Sequence, residues 1–299
     1  MESLRRFLQD AGVRTQNEYS LKEHSSFRIG GAARLAIFPR DREHMILSLQ
    51  ALAASDVRHL VIGNATNVVF DSRGFDGAIL FTHDFRSIEC DRMNRLICTA
   101  GTPLSHLSKA AYTTSRGGIE FAFGIPGTLG GAVFMNAGAY DGCMGDVCSS
   151  SEYYDTKTGK VGVFEGYAQE FGNRTSIYQK HPEYIVLSAT FVLPYKEMRN
   201  IIARMNDFTK RRRESQPLEL PSAGSVFKRP IGYFAGKLID ECGLKGVTVG
   251  GAQVSPKHAG FIVNVGGATS DDVKRLVEII RETVFFRTGV MLEPEIRFV

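Results

Sequence analysis

The run GIPGTLGGAVFMNAGAY, Gly124 to Tyr140, constrains the fold more than any other stretch, because it sets Gly124, Gly127, Gly130, Gly131 and Gly138 around Pro126 and Met135. Glycine lacks a Cβ, reaches positive φ at little cost and lets a backbone approach a ligand closely. Successive amides exposed in this way form concavities that hold anions, most often phosphates, without a cationic side chain. A second turn, Gly63-Asn64-Ala65-Thr66-Asn67, interrupts the apolar runs RHLVI and VVF and offers Asn64, Thr66 and Asn67 as side-chain donors. Neither segment fits GxGxxG between strand and helix, and neither fits GxxxxGK[ST]. Alone, each reads as a tight turn; together they favour a dinucleotide cofactor whose pyrophosphate is held by backbone amides.

The rest of the composition sets broad bounds. With 299 residues, 43% hydrophobic and 23% charged, the chain is long enough for two domains with substantial cores. A formal net charge of +4 makes an anionic small molecule as plausible a partner as nucleic acid, and an ordinary solvated surface the simplest reading of all. The five cysteines are odd in number, form no CxxC pair and sit mostly in apolar runs, which favours free thiols in a reducing compartment. The opening MESLRRFLQDAG lacks the apolar core of a signal peptide, and no stretch approaches ~20 apolar residues. The expectation is a cytoplasmic protein without membrane insertion.

Along the chain, Leu4 to Ala11 reads as a short helix followed by a polar connector, and the end of SSFRIGGAARLAIFPR alternates like a strand. Asp41 is placed to cap a helix to about Ala54. Short strands are expected at 58–62, 78–81, 95–100, 149–155, 161–164 and 184–193, with a helix from Pro103 to about Ser115. The first two thirds therefore read as one mixed α+β unit, ending near Pro194. Beyond it, Met198, Ile201, Ile202, Met205 and Phe208 fall at helical spacing, and further helices are expected in FAGKLIDECGLKG and from Ser270 to about Phe286. Strands are expected at FIVNV and at the terminal EIRFV.

Several residues of this second part are suited to chemistry. Ser225, in SAGSVFKRP, reads as a turn hydroxyl beside Lys228 and Arg229, a nucleophile or more economically a proton donor, although capping a turn is the commoner role of a serine. Lys210 to Arg213 end the amphipathic helix, where cations complement the dipole; a diphosphate contact is the sharper alternative. His258 precedes a strand and is within reach of a ligand if it is not structural. Glu293 and Glu295 share a face if the last strand begins there. The seven histidines show no metal-ligand spacing, and no catalytic metal is expected.

Taken in order, SSFRIGG (25–31), IGNATN (62–67), GIEFAFGIPGTLGGAVFMNAGAY (118–140), NRTS (173–176), QPLELPSAGSVFKRP (216–230), AGKLIDECGLKG (235–246), QVSPKHAGFIVN (253–264) and LEPEIRF (292–298) resemble the UDP-N-acetylenolpyruvoylglucosamine reductase family over nearly the whole chain. The resemblance implies an α+β protein: a helix and connector over 1–20, an FAD-binding domain of the PCMH or vanillyl-alcohol-oxidase type over 21–195, and a smaller α+β substrate-binding domain over 196–299. It implies noncovalent FAD, NADPH as hydride donor, and reduction of UDP-N-acetylglucosamine enolpyruvate to UDP-N-acetylmuramate for peptidoglycan.

Matched position by position, the resemblance gives Ser225 the proton-donor role, Arg174 the grip on the substrate carboxylate and its enolate, and Glu295 assistance to protonation. FAD contacts are expected from Gly63, Asn64, Ala65, Thr66 and Asn67, and from Gly124, Ile125, Pro126, Gly127, Thr128, Gly130, Gly131, Asn136, Ala137 and Gly138. Arg229 and His258 match sugar-nucleotide contacts, with Arg212 the choice among Arg211 to Arg213 for the diphosphate. The short path from Arg174 to the strand at Tyr184 resembles the family variant without an extra tyrosine-bearing loop. Two departures stand out: Asn173 where the family has tyrosine, and Ala65-Thr66-Asn67 where it usually has glycine-serine-asparagine. The competing readings are another flavin oxidoreductase on the same domain, expected to lack Arg174, Ser225 and Glu295 as a set, and a nucleotide-binding homologue without turnover.

Overall fold

Helix caps and apolar spacing lay down the elements much as the sequence implies. In the computed structural model, which describes residues 1–299, Asp41 caps the helix Arg42–Ala53 by accepting from the His44 amide at 2.8 Å. Met45, Leu49 and Leu52 then fall on one face of that helix and are buried. The chain divides into two compact units: residues 1–17, 35–64 and 77–211 form the first, and residues 18–34, 65–76 and 212–299 the second. The units are interleaved in sequence, not consecutive.

A four-stranded sheet, most of whose residues belong to the first unit, has the order Arg14–Ser20, Ala32–Phe38, Phe75–Phe81, His59–Ile62. The strand Arg14–Ser20 lies where the sequence predicts only a polar connector, because RTQNEYS carries a single buried aromatic, Tyr19, and no apolar alternation. His59–Ile62 runs parallel to Phe75–Phe81, with Leu60 opposite Ile79. Parallel neighbours need a crossover, so the Gly63 turn emerges at the carboxyl end of a parallel strand, the end where α/β sheets bind ligands.

An antiparallel five-stranded sheet follows, in the order Lys160–Glu165, Cys148–Asp155, Tyr184–Phe191, Leu96–Thr99, Ile88–Cys90. One face carries Leu96, Cys98, Leu187, Ala189 and Phe191 into the core, while Ser150, Glu152, Ser188 and Thr99 line the other. All five cysteines are free, and burial pushes the thiols of Cys98 and Cys148 up to about 12, so both are packing residues that stay protonated.

The second unit contains an antiparallel sheet ordered Ser222–Ser225, Phe261–Asn264, Ala252–Val254, Thr248–Val249. The helix Ser270–Thr288 packs on its last two strands through a stripe that includes Val273, Leu276, Val277, Ile280 and Val284. The terminal strand, Arg297–Phe298, pairs in parallel with Val68–Val69. Thr269 and Asp272 form a capping box at the start of the long helix, and Gly289 at φ +72° ends it. Replacing Thr269 by alanine removes one capping acceptor; the expected loss is ~1 kcal/mol in urea unfolding, with the denaturant slope unchanged.

Candidate functional site

The two glycine turns meet in the first unit because Gly63 carries no side chain at the contact. Asn64 Nδ2 donates to the Pro126 carbonyl at 3.1 Å. A Cβ added to Gly63 would collide with Thr128 Oγ1, so glycine is obligatory at this approach. The glycine-rich run shows no helical pattern in sequence, yet Leu129–Met135 is a helix, with Thr128 at its N-cap and Asn136 ending it at φ +44°. Gly130 sits within that helix with its Cβ direction 3.0 Å from Ala100 Cβ, a close-packing role. Its amide donates to the Ala100 carbonyl at 2.8 Å, so it is engaged within the protein.

The same turn holds an unsatisfied polar group. Thr128 is 1% exposed, and its buried Oγ1 has no hydrogen-bond partner in the protein. The amides of Asn64, Gly127 and Thr128 also donate to no protein acceptor. A buried hydroxyl without a partner costs about 1–3 kcal/mol, which a bound group with acceptor oxygens recovers. An oligophosphate is such a group, and these residues fit it.

Arg174 is the second residue of a two-residue hairpin turn closed by Gly172 N–H donating to Thr175 O at 3.0 Å. Its φ is +56°, a left-handed conformation that side chains disfavour. Its guanidinium donates from Nη2 to the Gly138 carbonyl at 3.0 Å, tying it to the end of the glycine-rich run. Asn136, expected at the cofactor, uses its side chain within the protein: Nδ2 donates to Gly172 O and Oδ1 accepts from Gly145 N, both at 2.8 Å. The short helix Ile177–Lys180 intervenes before the strand Tyr184–Phe191, so no long loop follows Arg174.

In the second unit Ser225 and Glu295, far apart in sequence, become neighbours. Ser225 pairs with Phe261, and the next residue accepts at its carbonyl from Glu295 N–H at 2.7 Å. Asn67 Nδ2 donates to the Glu295 carbonyl at 3.2 Å, bringing the end of the Gly63–Asn67 turn to the same place. Upstream, Ala65 at φ +49° is held by the Ser26 amide and hydroxyl, which donate to its carbonyl at 3.3 and 3.2 Å. The amides of Ala65, Thr66 and Asn67 donate to no protein acceptor.

Two local expectations change here. Ser225 lies at the end of a strand, not in a turn, and the register shift at Gly224, φ +79°, leaves its side chain exposed. The last strand begins at Arg297, so Glu293 and Glu295 are not set by strand alternation. Glu293 is instead ion-paired with Lys228. The helix carrying Lys210 to Arg213 runs to Ser215, with Arg212 and Arg213 in its last turn as expected.

The comparisons with known proteins bear on the whole of this arrangement. Residues 216–299 match the model of the UDP-N-acetylenolpyruvoylglucosamine reductase C-terminal domain, and residues 33–164 match an FAD binding domain. The reductase of that name from Caldicellulosiruptor bescii is 42% identical over 295 residues, 98% of this chain and 93% of the relative. The chain belongs to the UDP-N-acetylenolpyruvoylglucosamine reductase family. The relative from Pediococcus pentosaceus is 43% identical over 279 residues, 93% of this chain and 92% of its own length. The crystal structure of the Thermus caldophilus reductase superposes with a TM-score of 0.79 at 32% identity, covering 96% of this chain and 98% of that one. The fold is therefore an FAD-binding domain of the PCMH type joined to the C-terminal domain of this reductase family.

Against the reductase family pattern, the remaining expected contacts fall as follows. Arg229 is exposed, donates from Nε to the Tyr233 carbonyl at 3.3 Å and lies 3.9 Å over the Phe234 ring. Arg212 is half-buried in the last turn of the helix Met198–Ser215. His258 packs edge-on to Phe261, and its Nδ1 accepts from Gly260 N–H at 3.0 Å, which places the neutral ring's proton on Nε2. Gln179, whose amide touches the main chain of Arg174, carries no motif or periodicity that the sequence alone makes visible.

Two expected outcomes follow from this geometry. Gly63→Ala must displace Thr128, so the purified protein is expected to lose bound flavin, read from its visible absorbance; full flavin absorbance in that variant overturns the requirement for glycine. Burial holds the His258 imidazole below its ordinary value of 6.5. The unfolded chain therefore takes up this proton first as pH falls, so stability present above 6.5 is lost below it. The His258 ring signal in proton NMR is expected to titrate with a midpoint under 6.5, and a midpoint above it contradicts the burial argument.

Proposed function

We propose that this chain reduces UDP-N-acetylglucosamine enolpyruvate to UDP-N-acetylmuramate, with NADPH as hydride donor, in peptidoglycan synthesis. It is an FAD-dependent oxidoreductase of its family. The observation that carries the reaction is the seating of Ser225 and Glu295 on adjacent hydrogen-bonded segments, within a chain matched along 98% of its length. The family models at 33–164 and 216–299 support reading 21–195 as the FAD-binding domain and 196–299 as the substrate-binding domain, with 1–20 preceding them.

FAD, bound without a covalent link, would supply the redox chemistry between NADPH and C3 of the enolpyruvyl group. The amides of 64–67, Gly127 and Thr128, with Thr128 Oγ1, are the groups offered to its diphosphate, and Gly124, Ile125, Pro126, Gly131, Ala137 and Gly138 form the neighbouring wall. When C3 gains hydride, the double-bond electrons move to C2 and spread into the carboxylate as an enolate. Arg174 answers that charge with a guanidinium fork matching both oxygens. Ser225 then gives its hydroxyl proton to C2, forming the new C–H bond, and Glu295 assists that transfer. An exposed hydroxyl at a strand bulge suits this role, since it must reach a carbon outside the sheet. Arg212, Arg229 and His258 are read as contacts to the sugar nucleotide.

No helix is long and apolar enough to cross a membrane. A cytoplasmic setting belongs to the proposal and is supported by the five free thiols. The test is anaerobic: NADPH is expected to bleach the yellow protein, and UDP-N-acetylglucosamine enolpyruvate to restore the colour. Failure of the colour to return at substrate excess overturns the assignment. Ser225→Ala is expected to bleach as the parent does and to recolour about 100-fold or more slowly, the scale of a lost general acid.

A further inference from the structure

Arg174 is an arginine held in a conformation suited to glycine. A side chain at φ +56° in a two-residue turn carries a strain of order 1 kcal/mol or more. Such a residue keeps one direction only where its surroundings over-determine it. Arg174 is held through the amide of Gln179. Gln179 Nε2 donates to the Arg174 carbonyl at 2.8 Å and to the Phe134 carbonyl at 3.0 Å. Two acceptors facing one end of the amide fix its orientation, because a carboxamide oxygen in that place would meet two carbonyl oxygens.

The second anchor is well chosen. Phe134 O belongs to the last turn of Leu129–Met135, where helix carbonyls lack intrahelical partners, and it also accepts from Ser176 Oγ at 2.8 Å. One amide thus joins the backbone of Arg174 to the helix inside the glycine-rich run. On the other side of the turn Asn136 holds Gly172 O, so the hairpin is gripped at both ends. The Gly138 carbonyl, which receives the guanidinium, lies two residues beyond Asn136.

We propose that Gln179 is a positioning residue for Arg174, setting the backbone from which the guanidinium is aimed at the substrate carboxylate. The inference rests on the proposed role of Arg174. It requires that Gln179 matter to the step in which the carboxylate gains charge and not to flavin loading or reduction by NADPH.

The experiment uses flavin-loaded protein and four variants: Arg174→Ala, Gln179→Ala, Gln179→Glu, and Arg174→Ala combined with Gln179→Ala. Bleaching by NADPH, recolouring by UDP-N-acetylglucosamine enolpyruvate, affinity for that substrate by calorimetry and thermal midpoint are measured for each. Both Gln179 variants are expected to recolour about 10- to 100-fold slower and to bind substrate more weakly, with bleaching rate and flavin content unchanged. In Gln179→Glu an ionised carboxylate presents only acceptors to the two carbonyls, whereas the protonated acid donates once. The defect of Gln179→Glu relative to the parent is therefore expected to shrink as pH falls, which a packing defect would not do.

Adding Gln179→Ala to Arg174→Ala is expected to slow recolouring no further. Equal slowing of both half-reactions with a lowered midpoint, a full additional loss in the Arg174→Ala background, or unchanged recolouring in both Gln179 variants each overturns the positioning role while leaving the function intact. Parental recolouring and substrate affinity in Arg174→Ala overturns the role of Arg174 and the inference with it.

Discussion

The contact on which the first unit's site depends is the approach of the Gly63 backbone to Thr128. No side chain fits between them, since even a single Cβ would overlap the threonine hydroxyl. That closeness lets Asn64 reach Pro126 O and leaves Thr128 Oγ1 buried with no protein partner. Folding alone gains nothing from an orphaned hydroxyl at the start of a helix. The arrangement is favourable overall when a ligand brings acceptors, which is why the site is best understood as half of a complex.

In the second unit, main-chain contacts bring the backbones of Ser225 and Glu295 to adjacent segments from distant stretches of chain. Antiparallel pairing of Ser222–Ser225 with Phe261–Asn264 fixes one partner, and the Glu295 amide on Val226 O fixes the other. Asn67 closes the arrangement through the Glu295 carbonyl. The first two are main-chain contacts, so the backbone positions of both residues do not depend on the packing of their own side chains. The bulge at Gly224 then turns Ser225 outward. The glycine acts here on the neighbour's direction, which motif matching around the serine would assign only to a turn.

What could be read from the sequence follows a physical division. The helix at Arg42–Ala53 is announced by its cap at Asp41, and the long helix Ser270–Thr288 is legible from its start at Ser270 to about Phe286. The strand Arg14–Ser20 has no such alternation, and the helix Leu129–Met135 is masked by glycines that usually argue against one. Gly130 is there to pack on Ala100, a tertiary reason that no local window contains. The residues proposed for chemistry were legible because the family resemblance marks them. Gln179 was not, since its importance lies in two carbonyl oxygens brought together by the fold.

Asn136, Tyr140 and Arg174 all adopt positive φ, and all belong to the glycine-rich run or to the hairpin bonded to it. Glycine would relieve each position, but glycine would also remove what each side chain does. Asn136 bridges Gly172 and Gly145, while Tyr140 stacks on Phe208 at 4.2 Å and donates its hydroxyl to the Phe208 carbonyl at 2.6 Å. Those contacts offset the backbone cost locally. Arg174 has its own carbonyl held by Gln179 and its guanidinium on Gly138 O, so its strain is balanced by bonds that also define its direction. A residue strained for stability alone would be replaced by glycine without loss; one strained to point a charge would not.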